Sequence, residues 1–368
     1  MSKLPTIKVG VIGCGDISKA YFPGCKTFPI LEIVHCADLD LSRAEAKAKE
    51  YGIPRHGSVE QLLADPEVDL VINLTIPRAH SSVNLATIAA GKHVYCEKPY
   101  AISREEGLPV LEAAKAKGLI VGSAPDTFFG PSHQTCRKLI DDGVIGKPVA
   151  AVAFMACPGH ESWHPSPAFY YDIGGGPMFD MGPYYLTALV NLLGPMQRVS
   201  GSTKITRSER LITSKPLNGT KIEVKTPTHL AGTIDFQNGA IATVMMSFDV
   251  ISHHLPCIEI YGTEGTLAVP DPNGTGGDVL VRRSEHREWR NMPITHTTIP
   301  HRGAAVADMA YAIIEKRAHR ANGAMAHHVV DAMQAFEESS RAGRHIKLTT
   351  TCERPTPLSP GLETGVIG

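Results

Sequence analysis

The sequence predicts a chain in two parts. An α/β, doubly wound parallel sheet comes first, then an α+β domain with a large, mainly antiparallel, open β-sheet flanked by helices. Two observations carry this. Through the first third, short apolar β-rich runs alternate with helical runs, the pattern of a parallel sheet with crossover helices. After Gly122 the alternation stops and β segments follow one another with few helices between them. The chain has 368 residues, enough for two domains. The divisions expected are 1–123 for the first domain, 124–350 for the second and 351–368 for an extended tail.

Lys8–Ile12 reads as the first strand. It runs into Gly13-Cys14-Gly15-Asp16-Ile17-Ser18 and then a helical stretch. This is the G-x-G-x-x-G dinucleotide turn with Ser18 in the third glycine position. Gly13 serves the tight turn and Gly15 lets backbone approach a pyrophosphate. A small serine can serve the close helix–strand packing at the third position. The N–H groups of the helix start, from Asp16 and Ile17 onward, face the phosphates. A second strand, Glu32–Ala37, ends in Asp38, near the spacing at which an acid binds the adenosine ribose. A carboxylate there favours NAD and repels the 2′-phosphate of NADP. Arg43 could pair with such a phosphate, but it sits in a helical run, 42–51, where a solvated face suits it better.

The alternation continues with a helix at 58–64, a strand at 69–74 and a break at Thr75-Ile76-Pro77. His80 opens a helix over 81–90, stopped by Gly91. Strand 92–96 leads into Glu97-Lys98-Pro99. A helix at 104–117 and a strand at 119–121 complete the set. Charges at the C-terminal edge of a parallel sheet stand where ligands bind. Lys98 there can give or take a proton if its surroundings lower its pKa. Alone, Glu97 and Lys98 read first as a solvated pair.

The combination of VGVIGCGDIS, Asp38, TIPRAH at 75–80 and AGKHVYCEKP at 90–99 resembles the glucose–fructose oxidoreductase / inositol dehydrogenase / MocA family over nearly the whole chain. The resemblance implies that Lys98 is the catalytic lysine, that Lys98–Pro99 is cis, and that Thr75, Pro77, His80 and Glu97 join Gly13, Gly15, Asp16, Ile17, Asp38 and Lys98 around the cofactor. In the family a G-G-G stretch precedes D-x-x-x-H, whose Asp and His complete the site. Here Gly174-Gly175-Gly176 precedes Asp180, and Tyr184 stands where the histidine would be. The two are four apart and would share one helix face. Tyr184 can relay a proton, though the reference value of a phenol is about 10; it reads equally as a packing aromatic, while a helix N-cap is the lesser reading of Asp180.

His160, Trp163, His164, Tyr170 and Arg302 are further substrate candidates, with Tyr171 and His301 beside them. Aromatic walls with hydrogen-bonding tips suit a sugar ring. His160-Glu161-Ser162-Trp163-His164 also spells H-E-x-x-H, a zinc pattern that needs both histidines on one helix face. Pro158-Gly159 before it and Pro165 and Pro167 after it disfavour that helix, so no metal is expected.

The remaining segments are a link at 126–131, an amphipathic stretch at 134–142, strands at 149–155, 198–206, 221–225, 229–236, 240–248, 257–261 and 279–282, and helices at 304–315 and 324–340. Asn238-Gly239 marks a tight hairpin. A net charge of −1 excludes a general nucleic-acid binder. No run reaches membrane-spanning length. The N-terminus lacks signal-peptide character, and the eight cysteines form no CxxC pair, as expected of a cytoplasmic protein with buried free thiols.

Together these predict an NAD-dependent sugar or cyclitol dehydrogenase, with Lys98 as acid/base, Asp180 orienting it and Tyr184 relaying the proton. The alternatives are an NAD-dependent glycoside hydrolase acting by transient oxidation and a non-catalytic dinucleotide sensor. A homodimer or homotetramer through the C-terminal sheet is the expected assembly.

Overall fold

The structure, a computed structural model, describes residues 5–299 and 302–367. The chain divides into two units. The first takes in Met1–Gln134, Thr295–His327 and Pro355–Gly368; the second takes in Thr135–Ile294 and His328–Arg354.

In the first unit the strands are β1 (Ile7–Ile12), β2 (Leu31–Ala37), β3 (Arg55–Gly57), β4 (Leu70–Asn73), β5 (His93–Cys96) and β6 (Val121–Ser123). They form one sheet in the order β3-β2-β1-β4-β5-β6, and every pair is parallel. The helices between them are α1 (Ser18–Lys26), α2 (Leu41–Tyr51), α3 (Val59–Ala64), α4 (His80–Ala89) and α5 (Arg104–Ala116). Their ends carry ordinary local signals. Asp40 accepts from the Ser42 amide at the start of α2, Ser58 and Gln61 form a capping box on α3, and Ser103 accepts from the Glu106 amide on α5.

Most bounds fall within a residue of expectation, but two features differ. The last strand begins at Val121 rather than Leu119. Gly118 takes φ +66°, and the Leu119 amide donates back to the Ala114 carbonyl at 2.9 Å while Gly118 donates to Lys115. That helix exit consumes Leu119. The three-residue β3 has too short a pattern to be read.

The second unit opens with α6 (Pro131–Asp141), whose first residues belong to the first unit. It starts three residues before the amphipathic stretch read from sequence, because Pro131 supplies a preset first helical position. Then follow β7 (Pro148–Ala156), α7 (Gly176–Asp180), α8 (Gly182–Leu193), β8 (Met196–Lys204), β9 (Glu209–Leu211), β10 (Lys221–Glu223), β11 (His229–Phe236), β12 (Ile241–Ser247), β13 (Ile258–Gly262), β14 (Gly265–Val269), β15 (Leu280–Arg283) and β16 (Arg290–Asn291). α9 (Ala304–Glu315) belongs to the first unit, α10 (Gly323–Ala342) begins in the first and continues in the second, and β17 (Ile346–Lys347) closes the list.

Among the described residues the second unit has a nine-stranded sheet in the order β16-β15-β14-β13-β7-β12-β11-β8-β17. Its pairs are antiparallel except β7 with β12, which run parallel. The strand read at 221–225 does not join it; β10 pairs only with β9 in a separate ribbon. Alternation sets the sheet's faces. Leu230, Ile234, Phe236, Ala242, Val244 and Met246 are buried, while Ala231, Thr233 and Met245 between them are half-buried. The covered face meets α10, where Gly201 lies under Phe336.

The last segment is strapped down. Leu358 donates to Gln134 and accepts from His296, Arg320 donates to the Thr356 carbonyl, and Ile367 is fully buried. The cysteines are free, with Cys157 and Cys257 half-buried and the others buried. No helix of the described residues is long and apolar enough to cross a membrane.

Gly232 of β11 pairs with Gly201 of β8. A Cβ on Gly232 would stand 2.0 Å from the Ser200 carbonyl oxygen. Gly232→Ala is therefore expected to cost about 1–3 kcal/mol, seen as a lower thermal midpoint; an unchanged midpoint would mean the sheet spreads freely at that point.

Candidate active site

In the first unit the expected cofactor residues gather at the C-terminal edge of the parallel sheet. The strand order reverses between β1 and β4, a topological switch point. Gly13 adopts φ +101°, and a Cβ there would stand 2.7 Å from the Leu74 carbonyl, so only glycine lets the two loops close together. A Cβ on Gly15 would meet nothing within 4 Å. That open space is what a pyrophosphate needs over the start of α1, and the loop fits a dinucleotide. Ser18, fully buried, donates to the Gly15 carbonyl at 2.6 Å and fills the third position. Asp16 and Ile17 are exposed at the loop's rim.

Asp38 stands at the end of β2. Its carboxylate accepts from the Cys14 amide at 2.7 Å and from the Asp40 amide at 2.9 Å. The acid is thus fixed beside the glycine turn. Arg43 is exposed on α2 with its Nε 3.4 Å from Asp40.

After β4, Asn73 organises the next loop. Its amide oxygen accepts from the Thr75 amide and hydroxyl, and its amide nitrogen donates to the His80 carbonyl and to Asn84. Thr75 and Pro77 remain half-exposed. His80 is buried, with Nδ1 2.7 Å from the Pro99 carbonyl and Nε2 2.9 Å from the Thr75 carbonyl. It ties the loop after β4 to the loop after β5. Burial lowers its pKa, against the pull of both carbonyls and of Glu97.

Lys98 is half-buried at the end of β5, and the Lys98–Pro99 bond is cis. Glu97, expected against the cofactor, is buried with its carboxylate turned to the protein. Oε1 accepts from the Tyr21 hydroxyl at 2.9 Å and lies 3.5 Å from Arg302 Nε, and Oε2 accepts from the Lys98 amide at 2.7 Å. Arg302, expected against substrate, is buried between Glu97 and Asp126, whose Oδ1 is 3.4 Å from its guanidinium. His301 lies outside the described residues.

In the second unit the segment 158–185 collects the other candidates. Residues 160–164 form a turn rather than a helix, so the two histidines do not stand on a helix face. Glu161 is engaged. It accepts from Arg210 at 2.9 Å and from the Tyr171 hydroxyl, while its carbonyl accepts from the amides of Thr213 and Ser214. Arg210, itself buried, also reaches Asp249 and lies over the Tyr171 ring. Burial, and the carboxylate of Glu161, push the Tyr171 phenol up.

His160 is buried. Its ring stacks on Tyr170 at 4.0 Å and meets Trp163 and Phe248 edge-on. Its Nε2 lies 3.7 Å from Asp180 Oδ2. Trp163 is 61% exposed, an unusual place for so large an apolar ring, and His164 and Tyr170 are half-buried beside it.

Asp180 and Tyr184 do not lie on one uninterrupted helix. α7 ends at Asp180 and α8 starts at Gly182, with Met181 between them. Pro183 has no N–H to bond back to the Phe179 carbonyl, which favours an interruption here. Asp180 is a C-terminal residue of α7, not an N-cap. Tyr184 is buried in α8, 5% exposed.

Residues 7–124 match the family model described as an oxidoreductase family with an NAD-binding Rossmann fold. Residues 133–268 match the GFO/IDH/MocA C-terminal domain. A 1,5-anhydro-D-fructose reductase of Ensifer adhaerens is 30% identical over 264 residues, 70% of this chain and 74% of that protein. The chain belongs to the Gfo/Idh/MocA oxidoreductase family.

Other relatives of this Gfo/Idh/MocA chain agree. A trans-1,2-dihydrobenzene-1,2-diol dehydrogenase of Danio rerio is 28% identical over 283 residues, 73% of this chain and 81% of that one. In fold, levoglucosan dehydrogenase in complex with NADH and levoglucosan superposes with a TM-score of 0.80 at 21% identity, covering 94% of this chain and all of that one. An NAD-binding oxidoreductase of Klebsiella pneumoniae superposes with a TM-score of 0.82 at 21% identity, with the same coverage. The first unit therefore carries an NAD-binding Rossmann domain.

Several side chains of the site were not singled out in sequence. Tyr21 and Asp126 carry buried polar contacts in the first unit and Arg210 carries them in the second, and each is a common residue in an unremarkable local pattern. Outside the site, His93 at the start of β5 makes a further polar contact. Its Nδ1 accepts from the Ile120 amide at 3.1 Å, which requires an unprotonated nitrogen, and burial lowers its pKa. A neutral histidine of this kind contributes stability above its unfolded value of about 6.5, and the contribution is lost as pH falls through the folded value. The thermal midpoint is expected to drop between pH 7 and 5 more steeply in the native protein than in His93→Asn. Parallel curves would remove His93 from the acid response.

Proposed function

We propose that this chain is an NAD-dependent oxidoreductase of a ring hydroxyl or ketone on a sugar or cyclitol, with Lys98 as the acid/base. One observation carries the reading: a half-buried lysine ends β5 of an NAD-binding parallel sheet, one strand from the switch point, on a loop tied down from both sides. The names of two relatives, 1,5-anhydro-D-fructose reductase and levoglucosan dehydrogenase, support a carbohydrate substrate.

The division at 123/124 separates the labour: dinucleotide before it, substrate after it. Gly13, Gly15, Asp16 and Ile17 receive the pyrophosphate, Asp38 the adenosine ribose, and Thr75 and Pro77 line the cofactor's path. NAD, when bound, supplies the nicotinamide ring that accepts or returns hydride. Lys98 Nζ takes the proton of the substrate hydroxyl during oxidation and gives it back during reduction. Asp180 and Tyr184 are assigned to the substrate's polar groups, with His160, Trp163, His164 and Tyr170 as the ring-binding wall; an aromatic face as exposed as Trp163 suits a sugar's C–H face. The half-exposed face of the nine-stranded sheet is the surface for a homodimer or homotetramer.

Lys98→Met tests the acid/base role. Turnover on a panel of sugars, cyclitols and glycosides, followed at the nicotinamide absorbance, is expected to fall about 10²–10⁴-fold, with NAD binding kept in a fluorescence titration. Turnover near the native rate would sink the assignment. Glycoside cleavage without net NADH would redirect it to redox-assisted hydrolysis by the same residues.

Asp38 tests cofactor choice. In Asp38→Ser the carboxylate that accepts ribose hydroxyls and repels a 2′-phosphate is gone. NAD affinity is expected to fall about tenfold while NADP affinity rises. An unchanged NAD/NADP ratio would move the discrimination elsewhere.

A further inference from the structure

We infer that Tyr21 and Arg302 are positioning residues for Lys98, acting through the buried carboxylate of Glu97. The inference rests on Lys98 carrying the proton, as proposed above.

The contacts form one chain. Glu97 Oε2 accepts from the Lys98 amide at 2.7 Å, so the carboxylate fixes the backbone from which the lysine side chain departs. Glu97 Oε1 is held from the other side by the Tyr21 hydroxyl at 2.9 Å and by Arg302 Nε at 3.5 Å. Arg302 is anchored in turn by Asp126 Oδ1 at 3.4 Å, and the next amide, Gly303, donates to Asp126 Oδ2 at 3.1 Å. Tyr21 is fully buried, and Glu97, Asp126 and Arg302 are 6%, 1% and 3% exposed. Burial, and then the charge of Glu97, raise the Tyr21 phenol well above its ordinary value, so it stays a donor.

The backbone around this cluster is equally constrained. A Cβ on Gly24 of α1 would stand 2.1 Å from the Arg302 carbonyl oxygen, and one on Gly303, at φ +101°, would stand 2.8 Å from the Gly24 carbonyl carbon. Two glycines thus let α1, the helix that begins at the dinucleotide turn, lie backbone to backbone against the segment carrying Arg302. The seat of Lys98 is built from the cofactor helix, the strand end of β5, the loop after β6 and the entry to α9. All of these belong to the first unit.

A buried carboxylate without its partners would turn toward water or take up a proton, and the Lys98 amide would lose its acceptor. Catalysis is sensitive to such shifts, because a reacting group displaced by about 1 Å can lose about a hundredfold in rate. Tyr21 and Arg302 therefore act on turnover without touching the substrate. Arg302 is not interchangeable with lysine here, since only the planar guanidinium offers donors to two carboxylates in fixed directions.

The test compares Tyr21→Phe, Arg302→Lys and the native protein by amide hydrogen exchange over residues 94–100 and by steady-state kinetics. Tyr21→Phe removes one oxygen and keeps the ring in place, so it guards against simple unfolding of the arginine variant. Exchange of the Lys98 amide is expected to quicken about tenfold in both variants, with kcat down about tenfold or more and KM for NAD and the thermal midpoint nearly unchanged. Unaltered exchange at 94–100, exchange quickened evenly over the whole first unit, or a native kcat in Tyr21→Phe would each overturn the inference. If the native protein turns over no sugar, cyclitol or glycoside, the proposed function fails by itself. The exchange at Lys98 still decides whether Tyr21 and Arg302 hold the loop.

Discussion

The buried carboxylate of Glu97 is the constraint that ties the loop of Lys98 to the rest of the first unit. A carboxylate taken out of water needs close partners for both oxygens, or it drags water or a proton in after it. Here the partners are a phenol, a guanidinium and the amide of the next residue. Satisfying them recruits pieces far apart in the chain: Tyr21 is 76 residues from Glu97, and Arg302 is 176 from Asp126. A buried ion pair of this kind adds little net stability compared with apolar packing. What it does provide is direction. Each donor approaches from a fixed element, so the loop that carries Lys98 has few other arrangements available to it.

The glycines enforce the same result by a different route. Gly13 against Leu74 closes the loops at the switch point, and Gly24 against Arg302 brings α1 onto the entry to α9. Both are steric permissions, and both draw the polar groups within hydrogen-bond reach. His80 adds a third link by joining the loop after β4 to Pro99. Cofactor turn, strand ends and the loop carrying Lys98 are therefore one connected scaffold.

Much of this was legible in the sequence, and the reason is periodicity. The βα alternation from Ile7 to Ser123 repeats a local signal many times, and the glycine turn sits in its proper context between a strand and a helix. The Asn238-Gly239 hairpin was equally local, with Gly239 at φ +91°. The misreadings fall where a local rule met a second one. A helix exit took Leu119 from the start of β6, and the helix expected to carry both Asp180 and Tyr184 is interrupted at Met181. The partners of Glu97 were illegible for another reason. A tyrosine in an apolar helix and an arginine before another helix carry no mark of what they meet, because their meeting is a product of the tertiary fold alone.

The H-E-x-x-H stretch shows the same limit from the opposite side. The letters suggest zinc, yet the chain around them dictates a turn, and the glutamate that would serve as base is committed to Arg210 and Tyr171. Arg210 holds Glu161 and Asp249 together and so fixes the shape of the loop that presents His160. The consequence bears on the missing histidine of the family pattern. Four residues after Asp180 the sequence has Tyr184, which lies in the next helix. An imidazole nevertheless stands beside Asp180, because His160 arrives from upstream with its Nε2 3.7 Å from the carboxylate. The carboxylate–imidazole pair is thus present in the second unit, delivered by a different segment than the pattern would lead one to search. Spacing along a helix is one way to bring two groups together, and a loop clamped by a buried arginine is another.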